Sequence, residues 1–162
     1  MNTPISLDQF IAAVQMMPYE CERYINQRTG EVLVFSDEVM QAIEGERDPD
    51  SYSEWEQKEI KRAKKLFEEH GKESVFIPNR AGVRDYNVMK EFCYSIQNDR
   101  FRNRLLRLIR GSGAFRRFKN ALIQRGIEKN WYRYQQQAHK DNAIAWLEQR
   151  GIAYKDDVRP IK

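Results

Sequence analysis

Histidine and cysteine are scarce in this sequence, two of each among 162 residues. Cys21 and Cys93 stand far apart with no CxxC spacing, and His70 and His139 are the only imidazoles. A zinc or iron-sulfur site therefore has almost no ligand supply, and both thiols are expected to be free core filler. Long apolar runs are missing as well. No stretch approaches the ~20 residues that cross a bilayer, and the N-terminus lacks the basic-then-apolar order of a signal peptide. The expected setting is cytoplasmic, without a membrane partner. No Ser-His-Asp set, Walker loop or HExxH occurs. Asp37, Glu38, Asp48 and Asp50 lie near one another but lack EF-hand order, and read as helix-terminal charge at 37 and 38 and loop solvation at 48 and 50. No catalytic residue, metal or cofactor is expected.

What the chain does have is charge, unevenly placed. From Ser36 to Glu73 there are 12 acidic against 7 basic residues, net −5, whereas Gln97 to Tyr134 carries 11 basic against 2 acidic, net +9. Such asymmetry favours a polyanionic partner for the basic part, unless the acidic half neutralises it or water alone solvates it. The length and a 41% hydrophobic content suit one domain that buries roughly 70% of its unfolded surface. The expected organisation is a single domain over 1–162, with an acidic half at 1–78 that contains a hairpin at 19–35, and a basic helical half at 79–162.

The pattern along the chain is mostly helical. Ser6 with Gln9 has capping-box form, and Leu7, Phe10, Ile11 and Val14 recur at helical spacing, which predicts a helix of about eleven residues ended by Pro18. YECERYINQRTGEVLVFS predicts a hairpin turning at Gly30, the only clear β element. Ser36 caps a short helix with Val39, Met40 and Ile43, stopped by Gly45. ERDPDSYS is a polar loop and candidate hinge. Ser53 and Glu56 form a capping box for a charged helix carrying Trp55, Ile60, Ala63, Leu66 and Phe67 as far as Gly71. SVFIP at 74–78 reads as a short edge strand. From Asp85 onward consecutive helices follow, with stripes at Val88, Met89, Phe92, Cys93, Ile96 and at Phe101, Leu105, Leu108, Ile109, separated near Asn98-Asp99. Arg110-Gly111, Arg125-Gly126 and Arg150-Gly151 each pair a cation with a glycine stop. The fold class is α+β: a mostly helical domain with a small antiparallel hairpin near the N-terminus.

RGSGAFRRFKNAL at 110–122 concentrates the functional signal. With Ser112 as N-cap, Phe115 and Phe118 fall on the core side with Ala121 and Leu122, and Arg116, Arg117, Asn120 and Gln124 point outward. Arginines at a helix start conflict with its positive dipole end by a few tenths of a kcal/mol, and an anion held by Gly111, Ser112, Gly113, Arg116 and Arg117 would remove the conflict. An acidic side chain, or the carbonyl end of the preceding helix, would remove it equally well. The helix, Gly-x-Gly turn, helix order is similar to the helix-hairpin-helix DNA-binding module. However, Ser112 stands where that module has an apolar residue and Arg117 where it has a small one. Downstream, NWYRYQQQ mixes Trp131, Tyr132 and Tyr134 with Lys129 and Arg133. Trp131, Tyr134 and Ala138 have core spacing, as do Trp146 and Leu147, which leaves Tyr132 and Arg133 as surface candidates.

The Pro78–Met89 and Phe92 region, RGSGAFRRFK, the Trp131-Tyr132 pair, AIAWLEQRGI at 143–152 and the TGEVLVF hairpin segment together resemble a bacterial family designated uncharacterised protein family 0158. The resemblance spans most of the chain. Relatives often carry a basic residue at Ser112, and a more acidic stretch where this chain has YRYQQQAHKDNA. The resemblance implies the fold and supplies no catalytic residue. The expected function is that of a noncatalytic binder of nucleic acid or another polyanion. Its expected site is Arg110, Gly111, Ser112, Gly113, Arg116, Arg117, Lys119, Arg125, Lys129, Tyr132 and Arg133, with little sequence preference. The alternative is a protein-interaction adaptor or homodimer that uses charge complementarity, the acidic helix at 53–70 meeting the basic surface of a second copy.

Overall fold

A computed structural model describes residues 2–15, 21–45 and 51–162. Along the chain these form β1 (Ile5–Ser6), α1 (Leu7–Val14), β2 (Cys21–Asn26), β3 (Glu31–Ser36), α2 (Asp37–Ile43), α3 (Glu54–His70), β4 (Ser74–Ile77), α4 (Asp85–Ser95), α5 (Asp99–Leu108), α6 (Ala114–Arg125), α7 (Glu128–Gln149) and β5 (Tyr154–Lys155). The architecture is α+β and mostly helical, as the periodicities require. Pro18, Asp48 and Asp50 lie outside the described residues, as does most of the expected polar loop. The backbone gathers into two compact units, one of Met1–Gly82 with Ala143–Val158 and one of Val83–Asn142 with Arg159–Lys162. The division falls close to the acidic-to-basic change in composition, with residues 143–158 added to the acidic part.

The first unit is built on a sheet of order β3-β2-β4, antiparallel throughout. Ile25 pairs with Val32 and Tyr24 with Leu33, so alternate residues serve opposite faces. Ile25 and Val32 join Leu7, Phe10, Ala143, Trp146 and Leu147 in one cluster, while Leu33 and Phe35 join Val39, Ile60, Ala63 and Leu66 in another. Gly30 makes the hairpin turn at φ 78°, its N–H bonded to the Asn26 carbonyl at 2.8 Å. A Cβ there would also stand 2.7 Å from the Pro4 carbonyl oxygen. β4 forms from the segment expected as an edge strand. An additional parallel pair, Ile5 with Tyr154 and Ser6 with Lys155, joins β1 to β5; two-residue strands carry no periodicity by which a sequence reveals them.

The second unit comprises α4, α5, α6 and α7 as far as Asn142 around an aromatic centre. The ring centroid of Phe118 lies 5.9 Å from Phe92 and 5.0 Å from Trp131, and Phe92 also meets Trp131 at 5.4 Å and Tyr134 at 5.3 Å. Edge-to-face geometry of this kind adds to plain area burial. Cys93 is buried in the same cluster, and burial pushes its thiol up to about 11. Both cysteines are free of disulfides.

Three local expectations change. α1 has eight residues rather than about eleven. Trp55 is 67% exposed, because it sits in the first turn of α3, about 140° around the helix from Ile60 where the buried stripe begins. Phe115 is 41% exposed: Ala114, Phe118, Ala121 and Leu122 form the buried stripe of α6, and Phe115 lies at the edge of that stripe in the helix's first turn.

The N-terminus of α1 is held by a residue 149 positions away. The Ser6 hydroxyl accepts from the Gln9 amide at 3.1 Å and donates to the Asp157 carboxylate at 2.6 Å, and the other oxygen of Asp157 accepts from the Asp8 amide at 2.9 Å. The hydrogen bond from Ser6 and then that from the Asp8 amide hold the Asp157 carboxyl below its ordinary value. A lowered carboxyl stabilises the fold fully above the ordinary range near about 4, and that contribution is lost as pH falls through the lowered value. Asp157→Asn is expected to lower stability at neutral pH by about 0.5–1 kcal/mol and to lessen its loss on acidification, read by urea unfolding across pH.

Candidate functional site

The turn between α5 and α6 is organised by one side chain. Arg117 reaches back from the first turn of α6 and donates to three carbonyls at the end of α5 and in the turn. Its Nε donates to Leu108 at 2.8 Å, Nη2 to Arg110 at 2.6 Å and Nη1 to Ser112 at 2.5 Å. The Tyr86 hydroxyl donates to the carbonyl between them, Ile109, at 3.1 Å. The carbonyl end of α5 thus supplies the negative charge that the arginine needs, and the local benefit exceeds the few tenths of a kcal/mol of conflict with the start of α6. Gly111 and Gly113 take φ of 76° and 79°, and a Cβ at Gly113 would stand 3.0 Å from Nη1 of Arg117. Gly113, not Ser112, occupies the N-cap position, without a side-chain cap, because its left-handed conformation turns the chain into α6 one residue later than the Ser-x-x pattern implies. With the carbonyls drawn to Arg117, the N–H groups of Gly111 through Phe115 have no acceptor among the described residues.

The remaining site residues divide by surroundings. Arg110 and Arg116 are exposed beside this turn, and Lys129 is exposed on the first turn of α7. The Lys119 ammonium stands 5.3 Å over the ring of Tyr132, whose hydroxyl donates to Glu128 at 2.8 Å. The hydrogen bond with Tyr132, then its charge, raises the Lys119 pKa. The Arg125 guanidinium lies 4.6 Å over the ring of Phe101 in α5, and Arg133 makes a long 3.4 Å approach to the Ile161 carbonyl. Arg110, Gly111, Ser112, Gly113 and Arg117 therefore share one turn, Lys119 and Tyr132 form a second pair, and Arg125 is drawn to α5.

A further set of cations is not among the residues expected from sequence. On α5, Arg100, Arg104 and Arg107 are all exposed, and i, i+4, i+7 spacing puts them on one face over roughly 10 Å of helix. The signal for them is the complement of the apolar stripe: in DRFRNRLLRL, Arg100, Arg104 and Arg107 each adjoin one of the apolar positions Phe101, Leu105 and Leu108. The acid of this helix, Asp99, is held instead by Arg102 at 2.6 Å, and Arg102 also donates to the Ile96 carbonyl at 3.0 Å.

Counted by unit, the second carries 16 Lys and Arg against 5 Asp and Glu, net +11, and the first 12 against 19, net −7. Among the described residues Arg62 pairs with Glu31 and Glu59, His70 with Glu69, Arg102 with Asp99, and His139 with Asp85. None of them involves the site cations or the stripe on α5.

The model described as an uncharacterised protein family, UPF0158, matches residues 3–159, nearly the whole chain. The chain belongs to UPF0158. No curated protein and no solved structure matches it. Elsewhere in this UPF0158 chain, Ser36, Asp37, Glu38, Ser53, Trp55 and Glu56 line a cavity of about 320 Å³. Glu56 there is engaged by its capping box with Ser53. Among the described residues no three His, Cys, Asp or Glu side chains gather as a metal site, and no helix is long and apolar enough to cross a membrane.

Arg117→Ala is expected to lower stability by about 1–3 kcal/mol in chemical unfolding, because three carbonyls lose a charged donor. Arg117→Lys recovers only part, since an ammonium lacks the guanidinium fork. Equal stability of all three forms would show that the turn stands without the clasp.

Proposed function

We propose that this UPF0158 chain is a noncatalytic binder of nucleic acid or a related polyanion, acting through the basic helical surface of its second unit. One observation carries the reading. A unit of net +11 exposes Arg100, Arg104, Arg107, Arg110, Arg116 and Lys129 with no carboxylate partner among the described residues. A polyanion in water holds condensed counterions until such cations bind it; release of those counterions drives association and makes it depend on salt. The unpartnered N–H groups from Gly111 to Phe115 add donors suited to a phosphate oxygen beside Arg110 and Arg116. Arg117 supports this surface by shaping the turn, its donors being taken by backbone. In this reading the chain works in the cytoplasm, where such polyanions are present.

A second reading rests on the opposite sign of the first unit. Its net charge of −7 and the exposed Trp55 beside Asp37, Glu38 and Glu56 suit a basic protein surface, including that of another copy. Light scattering at low and high salt separates the two. A dimer that dissociates as screening rises supports self-association, and a monomer under both conditions removes it.

Fluorescence anisotropy of the full chain with short labelled nucleic acids at several salt concentrations tests the main reading. Binding is expected to weaken steeply with salt, and replacing Arg110 and Arg116 by Gln is expected to flatten the log–log slope by about 0.9 for each phosphate no longer neutralised. Absent or salt-independent binding overturns it.

A further inference from the structure

Resting on the polyanion reading, we infer that the preferred ligand is a nucleic-acid duplex gripped at its phosphates, with Arg100, Arg104 and Arg107 of α5 as the leading cations. Two observations carry this. The first is that the aromatic rings of the basic segment, Phe115 excepted, are already occupied. Proteins that hold single strands offset the ordering of a flexible chain by stacking its bases on exposed rings. Here Trp131 is 2% exposed between Phe92 and Phe118. Tyr134 rests on Phe92, the face of Tyr132 lies under the Lys119 ammonium, and Phe101 is buried under Arg125. The rings left exposed in this unit are Tyr86 and Tyr94 on α4 and Phe115 on α6, none of them on α5 itself, and the Tyr86 hydroxyl is held by the Ile109 carbonyl.

The second observation is the form of the cationic stripe. Arg100, Arg104 and Arg107 project from a regular helix whose Asn98 cap accepts from the Phe101 amide at 2.9 Å, and Phe101 and Leu105 anchor its other face in the core. At ~1.5 Å per residue they are spaced by about 6 and about 4.5 Å along the axis. A fixed line of charges suits a partner whose phosphates are also held in place. Duplex DNA presents one charge per ~1.7 Å of axis without further ordering, and a single strand has to be immobilised with no stacking in return. The surface thus reads phosphates and leaves the bases alone, so affinity is insensitive to sequence.

The full chain is titrated against a labelled DNA duplex, an RNA duplex of the same sequence, and each separated strand, over a salt series. The expected result is binding of at least one duplex about tenfold or more tighter than its strands, with a log–log slope of about −3 or steeper. Which duplex wins identifies the source of the phosphates. The variant carrying Arg100→Gln, Arg104→Gln and Arg107→Gln is expected to keep its helical circular dichroism and to lose the duplex advantage and about 3 of slope. Tyr94→Ala is expected to leave duplex binding unchanged. Strands that bind more tightly than duplexes, or a triple variant that retains the slope, overturn the duplex assignment and leave the polyanion reading standing. Failure to bind any of these probes overturns both.

Discussion

The guanidinium of Arg117 closes the carbonyl end of α5, and the basic surface takes its form from that closure. Three carbonyls that would otherwise point into water converge on one cation. Two left-handed glycines let the backbone bend around it, and the missing Cβ of Gly113 leaves room for Nη1. The amides of the same turn, from Gly111 to Phe115, make no hydrogen bond among the described residues. Arg117, which spacing places outward together with Arg116, is thus engaged by three backbone carbonyls.

Charge and packing divide along the same line. The acidic unit packs apolar clusters on both faces of its sheet, and Arg62 of α3 pairs with Glu59 on its own helix and with Glu31 of β3. The basic unit has few carboxylates to offer, and the few it has are partly engaged: Asp99 by Arg102, Glu128 by Tyr132, and Asp85 by His139 at 2.9 Å. Within that unit its own carboxylates are too few to offset its cations.

Most of the architecture was legible in the sequence because helices and hairpins are local. The caps at Ser6, Ser36, Ser53 and Asn98 all accept the amide three residues on, and the three Arg-Gly stops all have glycine at positive φ. What was illegible is what depends on distance. The β1–β5 pair and the Asp157 clamp join residues about 150 positions apart, and neither strand is long enough to alternate. Trp55 and Phe115 were misplaced because apolar character says little without the exact start of each helix. In the site, the Gly-x-Gly turn and the exposure of Arg116 were readable from spacing. The engagement of Arg117 was not, since an arginine's reach spans a whole turn. The stripe on α5 stayed hidden because it is marked only by the gaps between apolar positions.

Residues 143–158 complete the core of a unit that begins at the N-terminus, with Ala143, Trp146 and Leu147 packed among Ile5, Leu7 and Phe10. During synthesis the second unit has nearly all of its residues in hand before residues 143–158 of the first have emerged. The opening sheet must then wait, its apolar face uncovered, while sixty intervening residues are made and folded. The chain order thus brings out most of the basic unit ahead of the closing segment of the acidic one.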